Sequence, residues 1–168
     1  MSSKASPRHA SYCPRHDRRA CVQVRRRCRA HYARALAAQR MLSVAFDRQN
    51  RVLLFTVSGV FASEDLEELD RIGIEFLARR GKLRCIVDFT DVEAFAVPES
   101  RLAQRAQQPP IIPELVMVAS RLSGGEGGRV FKRYQREAGQ KEAALAATLE
   151  EAYALLGLRN PRFEPVER

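Results

Sequence analysis

Two aspartates, Asp88 and Asp91, stand just after the apolar run Cys85-Ile86-Val87. At the C-terminal end of a strand such a pair can ligate Mg²⁺ or divide the roles of acid and base, because open α/β sheets place ligands there. The histidines argue against that chemistry. All three, His9, His16 and His31, precede residue 41, so residues 41–168 lack the commonest general base and any Ser–His or Cys–His nucleophile pair. Carboxylate-only chemistry stays open, with Asp88 as the cap of the following turn the competing assignment. A second constellation, Ser123-Gly-Gly-Glu-Gly-Gly128, lies where a strand gives way to a helix. Backbone N–H groups there can cradle a phosphate, with Arg129 and Lys132 assisting. It lacks a Gly-Lys-Ser/Thr ending, and Glu126 repels anions, so a flexible glycine connector is the simpler reading. Two Cys-x-x-His pairs, Cys13/His16 and Cys28/His31, supply four soft ligands for tetrahedral zinc. Their spacing fits no standard finger and their flanks offer no strand or helix, so unstructured sequence is expected and no metal or cofactor is assigned.

The elements that must position these residues begin at Met41. Residues 1–40 hold 11 of the 29 Lys and Arg and one of the 20 acids, a net +10; residues 41–168 hold the rest, a net −1. The basic excess therefore belongs to a leader that has little to bury and is expected to be disordered, apart from a short helix within Tyr32–Arg40. Its Arg25-Arg-Arg27 cluster with Arg29 can hold phosphates non-specifically. Only Tyr12 and Tyr32 are there to stack on bases, which argues against nucleic-acid recognition. The leader's composition also looks like translated sequence upstream of a true start, with Met41 as the initiator. It has no apolar h-region for secretion, and no run in the chain approaches the ~20 apolar residues of a membrane span. A cytoplasmic protein is expected. Cys85, the single cysteine after residue 40, reads as a small buried hydrophobe.

From Met41 the apolar residues Leu42, Val44 and Phe46 alternate with Ser43, Ala45 and Asp47, a strand. Asp47-Gln49-Asn50 supplies turn chemistry, and Arg51–Ser58, ended by Gly59, completes a hairpin. Ser63 is placed to cap a helix with the stripe Leu66, Leu69, Gly73, Phe76 and Leu77, stopped at Gly81. Arg84–Phe89 is a strand buried on both faces. Pro98 opens a helix to Gln107, and Pro109, Pro110 and Pro113 forbid its continuation. Leu115–Ala119 is a further strand, and Arg129–Ala138 a helix facing inward through Val130, Phe131 and Tyr134. Thr148 and Glu151 form a capping box for the last helix. Residues 141–147 lie where a last strand belongs, although their composition prefers helix. The order is β-β-α-β-α-β-α-(β)-α: an α/β fold with an opening hairpin, a mixed sheet of about 4–5 strands and 4 helices.

That order, with Arg51-Val-Leu-Leu-Phe-Thr-Val-Ser-Gly59, Ile86-Val-Asp-Phe-Thr-Asp-Val92 and Leu149-Glu-Glu-Ala-Tyr-Ala-Leu-Leu-Gly157, resembles the STAS family of anti-sigma-factor antagonists. Within it, the chain is most similar to small bacterial STAS-like proteins, often grouped with the lipid-transfer Sec-fourteen type. The resemblance spans about Met41 to Val166 and implies fold more than function. In phospho-switched members a strand ending in Asp-Leu-Ser is followed by an Asp-Ser-Ser-Gly-like site, where phosphate adds roughly −2 charge and turns off partner binding. Here Asp88-Phe-Thr90 matches the strand end, but Val97 and Pro98 occupy the serine site and Ser100 lies out of register, so no such switch is expected.

The resemblance implies a non-enzymatic regulatory module that contacts another protein around Asp88–Leu102. Asp88, Thr90, Asp91, Phe95, Val97 and Ser100 are the candidate residues, with Phe95 and Val97 exposed for the partner. The alternative is a small-ligand binder, for a lipid or a nucleotide, using a pocket between Thr90, Ser120 and the glycine segment with Gly125, Gly127 and Arg129.

Overall fold

The computed structural model describes residues 41–119 and 125–167, without the side chains of 125–127. The expected alternation sets the first strand, β1 (Met41–Asp47), with Val44 and Phe46 in the core. Asp47 accepts hydrogen bonds from the Asn50 N–H and the Asn50 Nδ2, both at 2.8 Å, and so closes the turn into β2 (Val52–Phe61). Gly59 does not end β2. It takes φ +74, a value that favours glycine, and register shifts flank it, between Thr56 and Ser58 and between Gly59 and Val60. The strand bends there as at a bulge and continues to Phe61.

Helix α1 (Ser63–Arg80) begins one residue earlier than a Ser63 cap requires. Ala62 is the N-cap, and its N–H donates to the Asp65 carboxylate at 2.7 Å. The first-turn acid thus holds the N–H of the cap residue itself, the reciprocal half of a capping box, and does not replace the acceptor expected of the serine hydroxyl. Strand β3 (Arg84–Phe95) runs past Phe89, followed by α2 (Glu99–Ala106), with Pro98 as its N-cap, and β4 (Glu114–Val118). Helix α3 (Gly125–Glu137) starts within the glycine segment, so its second half is helical rather than a flexible connector. Gly128 is buried, and a Cβ on it would stand 3.1 Å from Leu145 Cδ2. The residue allows α3 to approach the sheet closely.

The short β5 (Ala144–Ala146) occupies the place expected for a last strand. Parallel pairing with β4 overrides the helical preference of its alanines. Thr148 Oγ1 accepts the Glu151 N–H at 3.2 Å at the start of α4 (Leu149–Leu155), while Glu151 accepts from the Ala147 N–H at 2.7 Å, one residue before the cap. A two-residue β6 (Glu164–Pro165) was not foreseen.

The six strands form one mixed sheet in the order β5-β4-β3-β2-β1-β6, one or two more than expected. Strands β2 to β5 are mutually parallel, and β1 runs antiparallel to β2 and β6. Period-2 alternation gives the sheet two apolar faces. Leu53, Phe55, Cys85, Val87 and Met117 face a large core roofed by α1, α2 and α3. Val52, Leu54, Ile86 and Val118 face a smaller one, covered by Ala152 and Tyr153 of α4 and by Phe163.

Candidate functional site

The larger core is not filled. A cavity of about 110 Å³ lies between the sheet and the three roofing helices. Phe55, Cys85, Val87 and Met117 form its floor. One wall is aromatic: Phe61 meets Phe89 edge-on and Phe95 tilted, each with ring centroids 5.0 Å apart. The bend at Gly59 makes this wall possible, because the prolonged β2 brings Phe61 opposite Phe95 in the parallel register. Leu66 and Leu69 of α1 and Leu102 of α2 close the top. The proline segment after α2 cannot be helical, and it carries Ile111 and Ile112 into the lining. Half-exposed Leu66, Ile111 and Phe131 mark where the cavity reaches the surface framed by the described residues.

Three side chains of the lining are strongly polar: Asp70, Arg105 and Gln135. Asp70 and Arg105 form a bidentate pair, Nε donating at 2.5 Å and the second guanidinium nitrogen at 3.1 Å. Arg105 also donates to the Pro109 carbonyl at 3.5 Å, so one guanidinium ties α1 to the end of α2 and to the proline segment. Gln135 is buried, and its Oε1 accepts the Ala143 N–H at 3.0 Å. Cys85 on the floor is fully buried, and desolvation pushes its thiol far above the ordinary range. The thiolate, which is the nucleophilic form, is suppressed. Among the described residues no three His, Cys, Asp or Glu side chains are grouped to hold a metal ion.

The residues singled out in the sequence are dispersed rather than assembled. Asp88 is buried on the α4 side of the sheet, opposite the cavity, and its Oδ1 accepts from the Thr90 N–H at 2.9 Å and the Thr90 hydroxyl at 2.5 Å. It caps its own turn. Its charge is also felt at Tyr153, whose hydroxyl is held above its ordinary pKa by burial first, then by Glu150 and Asp88. Thr90, Asp91 and Ser100 are exposed. The expected exposure of Phe95 and Val97 is corrected: Val97 is 7 % exposed inside the main core, and Phe95 is half-buried in the aromatic wall. Apolar side chains beside unfilled space are drawn inward, away from a partner surface. Gly125 and Gly127 lie in the first turn of α3 and Arg129 is exposed further along it. Ser120, both Cys-x-x-His pairs, the Arg25–Arg29 cluster and the Tyr32–Arg40 helix lie outside the described residues.

The sequence reading missed Asp70, Arg105 and Gln135. For Gln135 a signal existed: it follows Phe131 by four residues, which places a polar side chain on the apolar face of α3. For the ion pair there was none, since its partners are 35 residues apart.

No family model matches the chain, and no curated protein matches it. A solved structure is similar. It is an uncharacterized protein of the DUF3478 family with a SpoIIAA-like fold from Shewanella loihica PV-4, 14% identical over 70% of this chain and 93% of that one, with a TM-score of 0.45. Within the present molecule, the element order read from the sequence is the order observed, with β6 added. No helix among the described residues is long and apolar enough to cross a membrane.

Proposed function

We propose that residues 41–168 act as a non-enzymatic binding module whose ligand is a small apolar molecule held between the sheet and α1–α3. The cavity carries this reading. Protein interiors are packed to crystal density, whereas this open pocket of about 110 Å³ leaves its apolar lining against water, a loss of hydrophobic contact. A ligand that fills the space recovers that loss. Of the two ligand classes considered, a lipid-like molecule suits this lining and a nucleotide does not, because the only cation on it among the described residues, Arg105, is already engaged by Asp70. The suppressed Cys85 thiol and the capping role of Asp88 support binding rather than catalysis. Native mass spectrometry of the purified chain is expected to show a retained, solvent-extractable apolar compound. Val87→Phe, which pushes a ring into the cavity, should release it while the domain stays folded. A folded V87F chain that retains the compound at wild-type stoichiometry would sink the reading.

A protein partner is the second reading, favoured by one observation. β4 pairs with β3 only as far as Asp88, so beyond it β3 is paired with β2 alone among the described strands. Thr90 and Asp91 are exposed on that stretch, with Ser100 on α2. Such an edge can accept an added strand. An Asp91→Arg chain that loses a crosslinked partner while keeping its apolar ligand would separate the two readings.

A further inference from the structure

The polar groups of the cavity define the ligand more narrowly, and the argument rests on the apolar-ligand reading above. Asp70 and Arg105 satisfy each other through two hydrogen bonds. That leaves Gln135, only 4 % exposed on a face of α3 that lines the cavity. Its orientation is fixed by chemistry. The Ala143 N–H needs an acceptor, so the carbonyl oxygen Oε1 must face it, at 3.0 Å. The amide nitrogen Nε2, with two N–H donors, then points elsewhere, and it has no acceptor among the described residues. No fully buried side-chain nitrogen or oxygen among those residues lacks a partner. The Gln135 nitrogen is therefore open to accessible space, and the space this residue lines is the cavity.

We propose that the cavity takes a neutral apolar molecule bearing one carbonyl oxygen, such as a medium-chain ketone or ester, and that Gln135 Nε2 donates to that oxygen. An apolar ligand that enters the cavity shuts this donor off from water, and a ligand carbonyl supplies the acceptor that would otherwise be lost. A pure hydrocarbon fills the space but leaves the donor unmet. A carboxylate ligand would have to shed its water with no free cation among the described lining residues to receive it, since Arg105 is committed to Asp70, and one hydrogen bond does not offset that desolvation. The ligand is therefore neutral at its polar end. Its tail lies against the aromatic wall of Phe61, Phe89 and Phe95 and leaves toward the half-exposed Ile111 and Phe131.

The test uses the full chain and three probes: 2-heptanone, n-heptane and sodium heptanoate at pH 7. Gln135→Met removes the donor and keeps the side-chain length. It is expected to weaken 2-heptanone by about fivefold more than it weakens n-heptane, the effect of one net hydrogen bond. Should Q135M unfold, the wild-type chain answers by NMR: the Gln135 side-chain NH₂ resonances should move downfield with 2-heptanone and not with n-heptane. Equal weakening of the two probes, an amide that does not distinguish them, or heptanoate binding tighter than the ketone overturns the carbonyl assignment and leaves the apolar site standing. If neither neutral probe binds the wild-type chain, the apolar-ligand reading itself fails.

Discussion

Asp47 shows how much one carboxylate can hold. It is 1 % exposed at the end of β1 and accepts three hydrogen bonds at 2.8 Å, from the Asn50 N–H, the Asn50 Nδ2 and the Arg162 N–H. The first two close the hairpin. The third anchors the chain just ahead of β6. Burial alone would raise its pKa, but the donors of Asn50 and Arg162 outweigh it, and the carboxyl stands below its ordinary value. The sign of the linkage follows. A group whose folded pKa is depressed stabilises the fold above its unfolded value, about 3.9, and that contribution is lost as pH falls through the folded value. Asp47→Asn places an N–H₂ group against N–H donors and is expected to cost about 2 kcal/mol at pH 7. The gap to wild type should narrow in urea titrations below pH 4, where the unfolded carboxyl takes up its proton before the native one does. An undiminished gap at the lowest pH that keeps both chains folded would refute the electrostatic account. Asp88 spends its charge in the same local way, on the turn at Thr90.

Gly59 illustrates, at the scale of elements, what the sequence could and could not reveal. The hairpin was legible because alternation and turn residues are local signals, and Leu42, Val44 and Phe46 do share the core face. The end of β2 was misread because a glycine is ambiguous between a stop and a bulge, and only the long-range partners Val92 and Phe95 decide it. β5 was legible by position but not by composition, and β6 is too short to leave any pattern. The cavity was not legible at all, because it arises where three helices and a proline segment fail to meet. The pocket expected between Thr90, Ser120 and the glycine segment involves Ser120, which lies outside the described residues. Gly59→Ala puts a Cβ at φ +74 and is expected to cost about 1–2 kcal/mol in chemical denaturation. It should also weaken 2-heptanone, because the bend carries Phe61 to the aromatic wall. Full stability with unchanged binding would mean that the strand bends without help from the glycine.

Across the whole molecule, charge and cavity belong to different stretches of chain. Residues 1–40 carry net +10 and residues 41–168 net −1, while the described residues that line the cavity lie between Phe55 and Gln135. Helix α3 carries Arg129, Lys132, Arg133 and Arg136, and acids meet the last three. Arg136 and Lys132 reach Glu142 at 2.6 and 3.6 Å, and Arg133 reaches Glu99 at 2.5 Å. Such exposed pairs add little stability, but they cancel the field that a polyanion would sense. Retention on a nucleic acid or heparin column must then come from the leader, through counterion release that fades steeply with salt. Deleting residues 1–40 is expected to abolish retention at low salt and to leave 2-heptanone affinity unchanged. If the shortened chain is still retained, the α3 ion pairs do not hold against a polyanion, and Arg129, Lys132, Arg133 and Arg136 become an anion-binding face. If it loses the ketone, the leader contributes to the site, and the division of labour proposed for the two stretches is wrong.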